Sequence, residues 1–579
     1  MTRHDQTSAD TNIAVRAATG VLAAAGLIAV VTLAARIFGF GRSLAFSQSV
    51  GTTCVGSVYQ AANQLPNVVY EVAAGGVLAA VVVPIIAGQL ARQNQAEAAR
   101  TASAMLTWTL VVLVPLSILM AASARQLSTF LVNDQQCPGS THLMTSMLVV
   151  FSPQIALYGA GIVLSGVLQA HRRFLGVVVA PLLSSLVVIA TYLLFGGLAQ
   201  GKGNSLSLLP SQASTVLAVG TTLGVAALSL SLLIPIHRAG IRLRPAWTFP
   251  DGVARRARAL AGAGLVALVA QQCAVLVTLW VSQHRGGTGT LNVYIYVQAI
   301  YLLPYAVLAV PFAMSALPAL ATGLDQAVLA TDLDPAVLVA GPDQAVLVAG
   351  PDHASLSRAQ STLASSARAI IVATSAGAAV LFAIASPTGA FFSALDAGRH
   401  SPAGQAALGA LPDALSAFAP GLVGFGMAAL LTRALYVQGR PAVAGGLVAL
   451  GWSIAAIAPF LLLQKDAGPR DTLLVLGLAS SFGMTLAAVG LFVAVRRTWG
   501  ATALRGFGRT AAVALAAGVL SAILGRALAA VLDPDGLVAG AVVAVLVAAV
   551  VVMLCAVVIW IGDRESARLA LAKLTRGAR

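Results

Sequence analysis

Charged residues make up only 9% of this 579-residue chain, and those able to do chemistry within its apolar stretches gather near the N-terminal end. Arg36 and Arg42 flank the Gly39/Gly41 pair, and Asn63, Gln64, Asn67, Tyr70 and Glu71 follow around Pro66. An ionisable group at membrane depth faces a protein interior or a water-filled cavity, because facing lipid costs about 3 kcal/mol or more. A guanidinium fork matches phosphate oxygens bidentately, so the Arg36/Arg42 pair suits an anionic headgroup. Counted along a straight helix from residue 18, Arg36 lies about 27 Å up, where its side chain could equally snorkel to the membrane boundary. Both readings stay open. On a regular helix the two arginines point about 120° apart, and only a kink at Gly39 or Gly41 brings them together. Glu71 is the one carboxylate inside any span, about thirteen residues into its helix and roughly 20 Å from the end, near the midplane. It reads either as a coupling or gating group, or as a buried acid paired with an arginine or bonded, protonated, to a neighbouring helix.

Other chemistry is missing from the pattern. The sequence contains no phosphate-cradling Gly loop with its Lys, no HExxH, and no Ser/His/Asp set that its topology could unite. The seven histidines fall in loops or at span ends, and the four cysteines form no metal pattern. The expectation is a protein that is not an enzyme, with no cofactor and no metal.

The elements that position these residues are long apolar runs, which predict an all-α polytopic membrane protein. Spans are expected near 18–40, 58–88, 102–123, 143–169, 175–198, 213–236, 259–282, 291–320, 366–390, 415–437, 441–463, 472–495, 510–532 and 536–561. Each reaches the roughly twenty residues that cross a hydrocarbon core. Hydrophobic residues at 58% and a mean hydropathy of +0.89 lie outside what a soluble domain needs. With the N-terminus inside, the cytoplasmic segments hold twenty-four Lys and Arg against six outside. That asymmetry predicts an inner-membrane protein with both termini cytoplasmic. The net charge of +15 is then positive-inside bias beside anionic lipid, and nucleic acid is not an expected partner. The first apolar run lacks a small-residue cleavage site and reads as a span, not a signal peptide.

The expected organisation is a cytoplasmic tail (1–17), a six-helix lobe (18–236), a basic loop (237–258), a second six-helix lobe (259–495), two further helices (496–561) and a basic cytoplasmic tail (562–579). Within the second lobe, a cytoplasmic loop at 321–365 contains three tandem nine-residue units over 325–351, each beginning with Asp. Their acid and Pro content argues against a span and for a loop enlarged by duplication. Cys54 and Cys137 both fall in extracytoplasmic loops, where they are either a disulfide or two unrelated thiols. Cys273 and Cys555 lie within spans and act as small hydrophobes. Pro66 removes a backbone hydrogen bond in span two, and Gly75-Gly76 adds a second soft point, which suits either alternating access or close packing.

At these residues the chain resembles the MurJ/MviN family of lipid II flippases, within the multidrug/oligosaccharidyl-lipid/polysaccharide exporter superfamily. The segment from Ala35 to Arg42 is similar to the family's Ser-Arg-x-x-Gly-Phe-x-Arg signature, and Asn63 to Asn67 to its Leu-Pro-Asn motif, with Pro84 eighteen residues after Pro66. Further likenesses are Leu168 to Phe174 before Ala180-Pro181, the step from Pro304 to Pro318, and Arg433-Ala-Leu-Tyr436 near Arg440-Pro441.

The resemblance implies two pseudo-symmetric six-helix lobes around a cavity, with two C-terminal helices forming a groove for a lipid tail. It implies a flippase that moves lipid II, a polyprenyl-pyrophosphate-linked peptidoglycan precursor, from the inner to the outer leaflet by alternating access. Arg36 and Arg42 would hold the pyrophosphate, Asn63, Gln64, Asn67 and Tyr70 the sugar side, and Glu71 the gate. Its partners would be the lipid-linked precursor and the bilayer, with cell-wall synthesis or division proteins beside them. The chain departs from the family pattern in places. Tyr70 stands where the family has an arginine, Gly75 where it has a glutamate, and Ala299 where its eighth helix has an arginine. Spans seven, eleven and twelve hold no carboxylate for a sodium site, which leaves membrane potential, or Glu71 as a proton carrier, as the drive. Flipping of another lipid-linked glycan, a non-transporting scaffold for cell-wall synthesis, and drug export by the same superfamily are the competing functions.

Overall fold

A computed structural model describes residues 35, 37–249, 253–314, 316, 320, 353–396, 401–565 and 568. The repeats at 325–351 and most of the first expected span lie outside the described residues, as does the basic tail beyond Arg568. Among the described residues the secondary structure is helical throughout, with no strand. Eleven helices are long and apolar enough to cross a membrane, and twelve if one bent pair is a single span.

Contacts divide the chain into two compact units. The first comprises Met1–Gly51, Val58–Phe130 and Cys137–Gly262, and the second Thr52–Ser57, Leu131–Gln136 and Ala263–Arg579. The basic loop therefore groups with the first unit, and the two last helices with the second.

In the first unit, α1 (37–49) precedes α2 (Cys54–Tyr70), whose first four residues and the preceding Thr52 and Thr53 group with the second unit, then a π turn (Glu71–Gly75) and α3 (Gly76–Ala91). Then come α4 (Gln95–Ala122), α5 (Ala124–Leu131), α6 (Ser140–Phe151), α7 (Gln154–Ala170), α8 (Phe174–Ala199), α9 (Ser211–Leu230) and α10 (Leu233–Arg238). α7 is the central post, packing against α3, α4, α8 and α9. Val81, Val82, Ile85, Met105, Val163 and Val167 form the core between α3, α4 and α7. α4 begins at Asn94, whose Oδ1 accepts from the Glu97 amide at 3.1 Å while its Nδ2 donates to Glu97 Oε2 at 2.6 Å, a reciprocal cap. Several hydroxyls inside the spans bond back one turn, as Ser117 does to the Leu113 carbonyl at 2.8 Å, which satisfies their donors within the helix. The outer face is apolar: Ile118 is 65% exposed and Leu194 61%. Such surface is stable only in hydrocarbon, and the chain is embedded in a membrane.

In the second unit, α11 (Val253–Val281) runs into a π turn (Ser282–Gly286), and α12 (Thr290–Pro304) into another (Tyr305–Ala309). After the undescribed loop come α13 (His353–Ala383), α14 (Ala385–Leu395), α15 (Pro402–Gly409), α16 (Leu411–Phe418), α17 (Gly421–Val437), α18 (Pro441–Leu462), α19 (Gly468–Trp499), α20 (Phe507–Leu532) and α21 (Leu537–Gly562). α19 packs on α16, α17 and α18, while α13 packs on α17, α20 and α21. The approach of α18 to α19 requires glycine. A Cβ on Gly451 would lie 2.7 Å from the Gly483 carbonyl oxygen, which is how backbones meet where apolar burial supplies no drive.

The breaks fall differently from the sequence reading. The expected span 415–437 is bent by 47° between Phe418 and Gly421, where Pro420 cannot donate its backbone hydrogen bond. In span two the helix runs through Pro66 and loosens at the π turn that ends at Gly75. α1 continues as helix through Gly39 and Gly41, so the residues at which a kink would bring the arginines together are regular.

Candidate functional site

The polar residues of α2 fall on one stripe. At 100° per residue, Gln60, Asn63, Gln64, Asn67 and Glu71 lie within an arc of about 100°, with Tyr70 at its edge. Asn63, Gln64, Asn67 and Glu71 are each half-buried, and Gln60 and Tyr70 are buried. Asn63 Oδ1 is inaccessible and accepts no hydrogen bond among the described residues. Glu71 opens the π turn and makes no ion pair among the described residues. π turns recur at functional positions because they misalign the backbone ladder locally. The Tyr70 ring meets that of Tyr158 on α7, with centroids 5.6 Å apart.

Arg42 is exposed on α1, and Arg36 lies outside the described residues. Phe46, one turn beyond Arg42, stacks on Tyr59 at 5.7 Å and meets Tyr192 edge-on at 5.3 Å, which fixes α1 against α2 and α8. The Arg42 charge is within electrostatic reach of Tyr59, Tyr158 and Tyr192.

The Tyr59 and Tyr192 hydroxyls form an ordered chain. Thr221 Oγ1 donates its one hydrogen to the Leu217 carbonyl at 2.7 Å, so at the 3.0 Å Tyr59–Thr221 contact the tyrosine must donate. Tyr192 must then donate to Tyr59 at 2.9 Å. The direction Tyr192 to Tyr59 to Thr221 to Leu217 is fixed, and it locks α2, α8 and α9 together behind the stripe. The sequence reading passed over Tyr59 and Tyr192. Tyr59 could have been found one residue before the stripe begins, whereas Tyr192 is isolated among apolar neighbours.

Cys54 and Cys137 are both disulfide-bonded, Cys273 is free and exposed, and Cys555 is free and buried. Among the described residues no cluster of His, Cys, Asp or Glu could hold a metal ion.

The second unit carries an apolar cavity of about 650 Å³ bounded by α13, α17, α19 and α20, with Ile371, Phe382, Met427, Phe492, Phe507 and Ala522 in its walls. In size it falls among ligand sites, and its walls admit only an apolar occupant. Also in this unit, and missed by the sequence reading, is Asp396, wholly buried just after α14.

Long apolar helices in two units, with a half-buried polar stripe on α2, define a polytopic membrane transporter. The fold is that of the solved structure described as "Lipid II flippase MurJ, inward closed conformation", at a TM-score of 0.66 and 14% identity over 92% of this chain and 98% of that one. It is shared by an inward-facing MATE-family multidrug transporter of the MOP superfamily, at a TM-score of 0.59 and 14% identity over 83% of this chain and 99% of that one. The family model for the lipid II flippase MurJ matches residues 46–338, half of the sequence, and the chain belongs to that family. A "Probable lipid II flippase MurJ" of Rhizobium meliloti (strain 1021) is 26% identical over 166 residues, a stretch covering 28% of this chain and 30% of the length of that relative. The polar stripe lies inside the matched range. Arg36 and Arg42 precede it.

Proposed function

We propose that the protein flips lipid II, a polyprenyl-pyrophosphate-linked peptidoglycan precursor, from the inner to the outer leaflet of the bacterial inner membrane, with both termini cytoplasmic. The observation that carries this is the polar stripe on α2 in a chain of the MurJ family. Arg42, together with Arg36, holds the pyrophosphate through bidentate hydrogen bonds. Asn63, whose Oδ1 has no partner, and Gln64, Asn67 and Tyr70 meet the sugar and peptide groups. Glu71 sits at the wide turn, where α2 and α3 can move as separate pieces, and sets the gate of an alternating-access cycle. The cavity near Phe382 and Ala522 suits the polyprenyl tail. No carboxylate of the second unit suits a coupling cation in spans seven, eleven and twelve, so the membrane potential acting on the charged cargo, or a proton on Glu71, supplies the drive. Its partners are the lipid-linked precursor, the bilayer, and proteins of cell-wall synthesis or division.

A second reading, flipping of another lipid-linked glycan, is favoured by one observation. Tyr70, Gly75 and Ala299 stand where the resemblance leads one to expect charge, so the cationic set is reduced. Complementation of a conditional lipid II flippase mutant separates the two, with membrane levels checked by immunoblot. Rescue by the wild-type chain and its loss in Arg42→Ala is the expected result. Failure of a well-expressed wild type moves the assignment to another cargo.

A further inference from the structure

Residues 241–249, after α10, form no regular element, yet they are laced along the first half of α4. The Arg244 amide donates to Ser103 Oγ at 3.1 Å, and the Ala246 amide to Thr107 Oγ1 at 3.1 Å. Trp108 Nε1 donates to the Trp247 carbonyl at 3.0 Å, and Arg100 Nη2 to Thr248 Oγ1 at 2.7 Å. The segment is an extended strap whose first side chains alternate. Ile241, Leu243 and, further along, Phe249 pack inward on the core of α3, α4 and α7. Arg242, Arg244 and Trp247 point outward and are exposed, Trp247 by 63%.

The outward face is cationic and ends in aromatics. His237 and Arg238, exposed at the end of α10, adjoin it. Arg172 and Arg173 follow α7, whose Leu168 shares an apolar cluster with Ile236, Ile241 and Leu243. The carboxylate at this end among the described residues, Glu97, is engaged by Gln89 at 3.2 Å and by Asn94. Trp108 and Trp247 meet edge to face at 6.1 Å, at the level where α4 turns from Gln95–Thr101 to a lipid-exposed run that includes Val111, Val112 and Ile118. Tryptophan at such a level marks the boundary between hydrocarbon and headgroups.

We propose that this strap is a docking surface for anionic phospholipid headgroups, with Arg238, Arg242 and Arg244 on the phosphates and the Trp108/Trp247 pair at the hydrocarbon boundary. A leaflet is the occupant because the exposed arginines adjoin the Trp108/Trp247 boundary pair and make no ion pair among the described residues. The guanidinium fork then selects phosphate, and the net negative charge of the lipid selects anionic over zwitterionic headgroups. The strap's inner face and its α4 bonds hold the backbone of Arg242 and Arg244 in place before lipid arrives, and α10 holds that of Arg238.

The test uses the purified full-length protein and dansyl-labelled phosphatidylglycerol or phosphatidylcholine, with energy transfer from tryptophan as the readout. Phosphatidylglycerol should bind in preference to phosphatidylcholine. Replacing Arg238, Arg242 and Arg244 together by Gln should weaken it by about a hundredfold at low ionic strength, since each basic residue near the surface contributes about 0.7 of a decade in affinity. The same three positions changed to Lys should retain most of the preference, and Arg125→Gln with Arg470→Gln should change nothing. Trp247→Phe should lower the transfer signal without lowering affinity tenfold. Equal binding of the two lipids, or a Gln triple variant that elutes as a single species and keeps its preference, would overturn the proposal. So would arginine-dependent capture of an acidic protein with no lipid preference.

Discussion

Asp396, wholly buried after α14, accepts a 3.0 Å hydrogen bond through Oδ2 from the backbone amide of Thr52, 344 residues away in sequence. The same oxygen accepts from the Thr52 hydroxyl. Thr53 completes the cap, its Oγ1 accepting from the Gly56 amide at 3.1 Å, and the carboxylate lies where the α2 dipole is positive. Removing one partner leaves buried donors unmet, so Asp396→Ala should cost about 1–3 kcal/mol. Thermal unfolding of the detergent-solubilised protein reads this. Asp396→Asn, which keeps an acceptor, should lose less, and equal melting of all three would refute the bond's contribution.

Arg42 should matter for transport and not for folding, because it is exposed on α1. Hydrogen bonds to charged groups are worth about 1.5–3 kcal/mol, so Arg42→Ala should slow flipping by roughly tenfold to a hundredfold. Arg42→Lys keeps the charge but not the fork and should fall between. Initial rates of lipid II flipping in proteoliposomes, alongside the melting temperature, provide the check.

Glu71→Gln keeps the shape of a side chain that makes no ion pair among the described residues. If Glu71 acts in gating, the variant should bind lipid II as the wild type does while its translocation slows. Binding lost in step with transport would make it a headgroup contact instead.

The direction of the tyrosine chain makes Tyr59 and Tyr192 unequal. Tyr192→Phe removes one donor and should cost about 1 kcal/mol. Tyr59→Phe strands Tyr192 and takes the donor from Thr221, and should cost more. Paired melts of the two variants, with the double variant to close the cycle, test that order.

Ala522 is buried in the wall of the 650 Å³ cavity, and Ala522→Phe would fill part of it. Flipping should fall for a long polyprenyl cargo and change little for a short-chain analogue, with melting unchanged or raised. Equal rates on both would take the cavity out of the transport path.

The helices were legible because twenty apolar residues in a row leave a membrane chain little choice. The α2 stripe was legible too, since Asn63, Gln64, Asn67 and Glu71 recur at helical spacing. What the sequence hid is tertiary. Tyr192 and Thr221 gain their roles only when α8 and α9 meet α2, and no local pattern couples Thr52 to Asp396. The bend at Pro420 and the π turn at Tyr305–Ala309 fall inside expected uninterrupted spans because hydropathy does not register a lost or displaced hydrogen bond, whereas Gly75-Gly76 marks the soft point of span two in the sequence itself. For Arg36 and the 325–351 repeats, which lie outside the described residues, the sequence reading stands alone.

A π turn holds one residue more than the α-helix it interrupts, so it acts as a phase shift. Past Gly75 the helix resumes about 100° out of step with the α2 stripe, and Val81, Val82, Ile85 and Ile86 thereby face the α7 core. Deleting Ala73 would remove the extra residue together with its turn and leave those four residues on that core, whereas a regular α ladder drawn through all five residues of the turn would swing them off it. The wide turn at Tyr305–Ala309 sets the phase of the chain beyond α12 in the same manner.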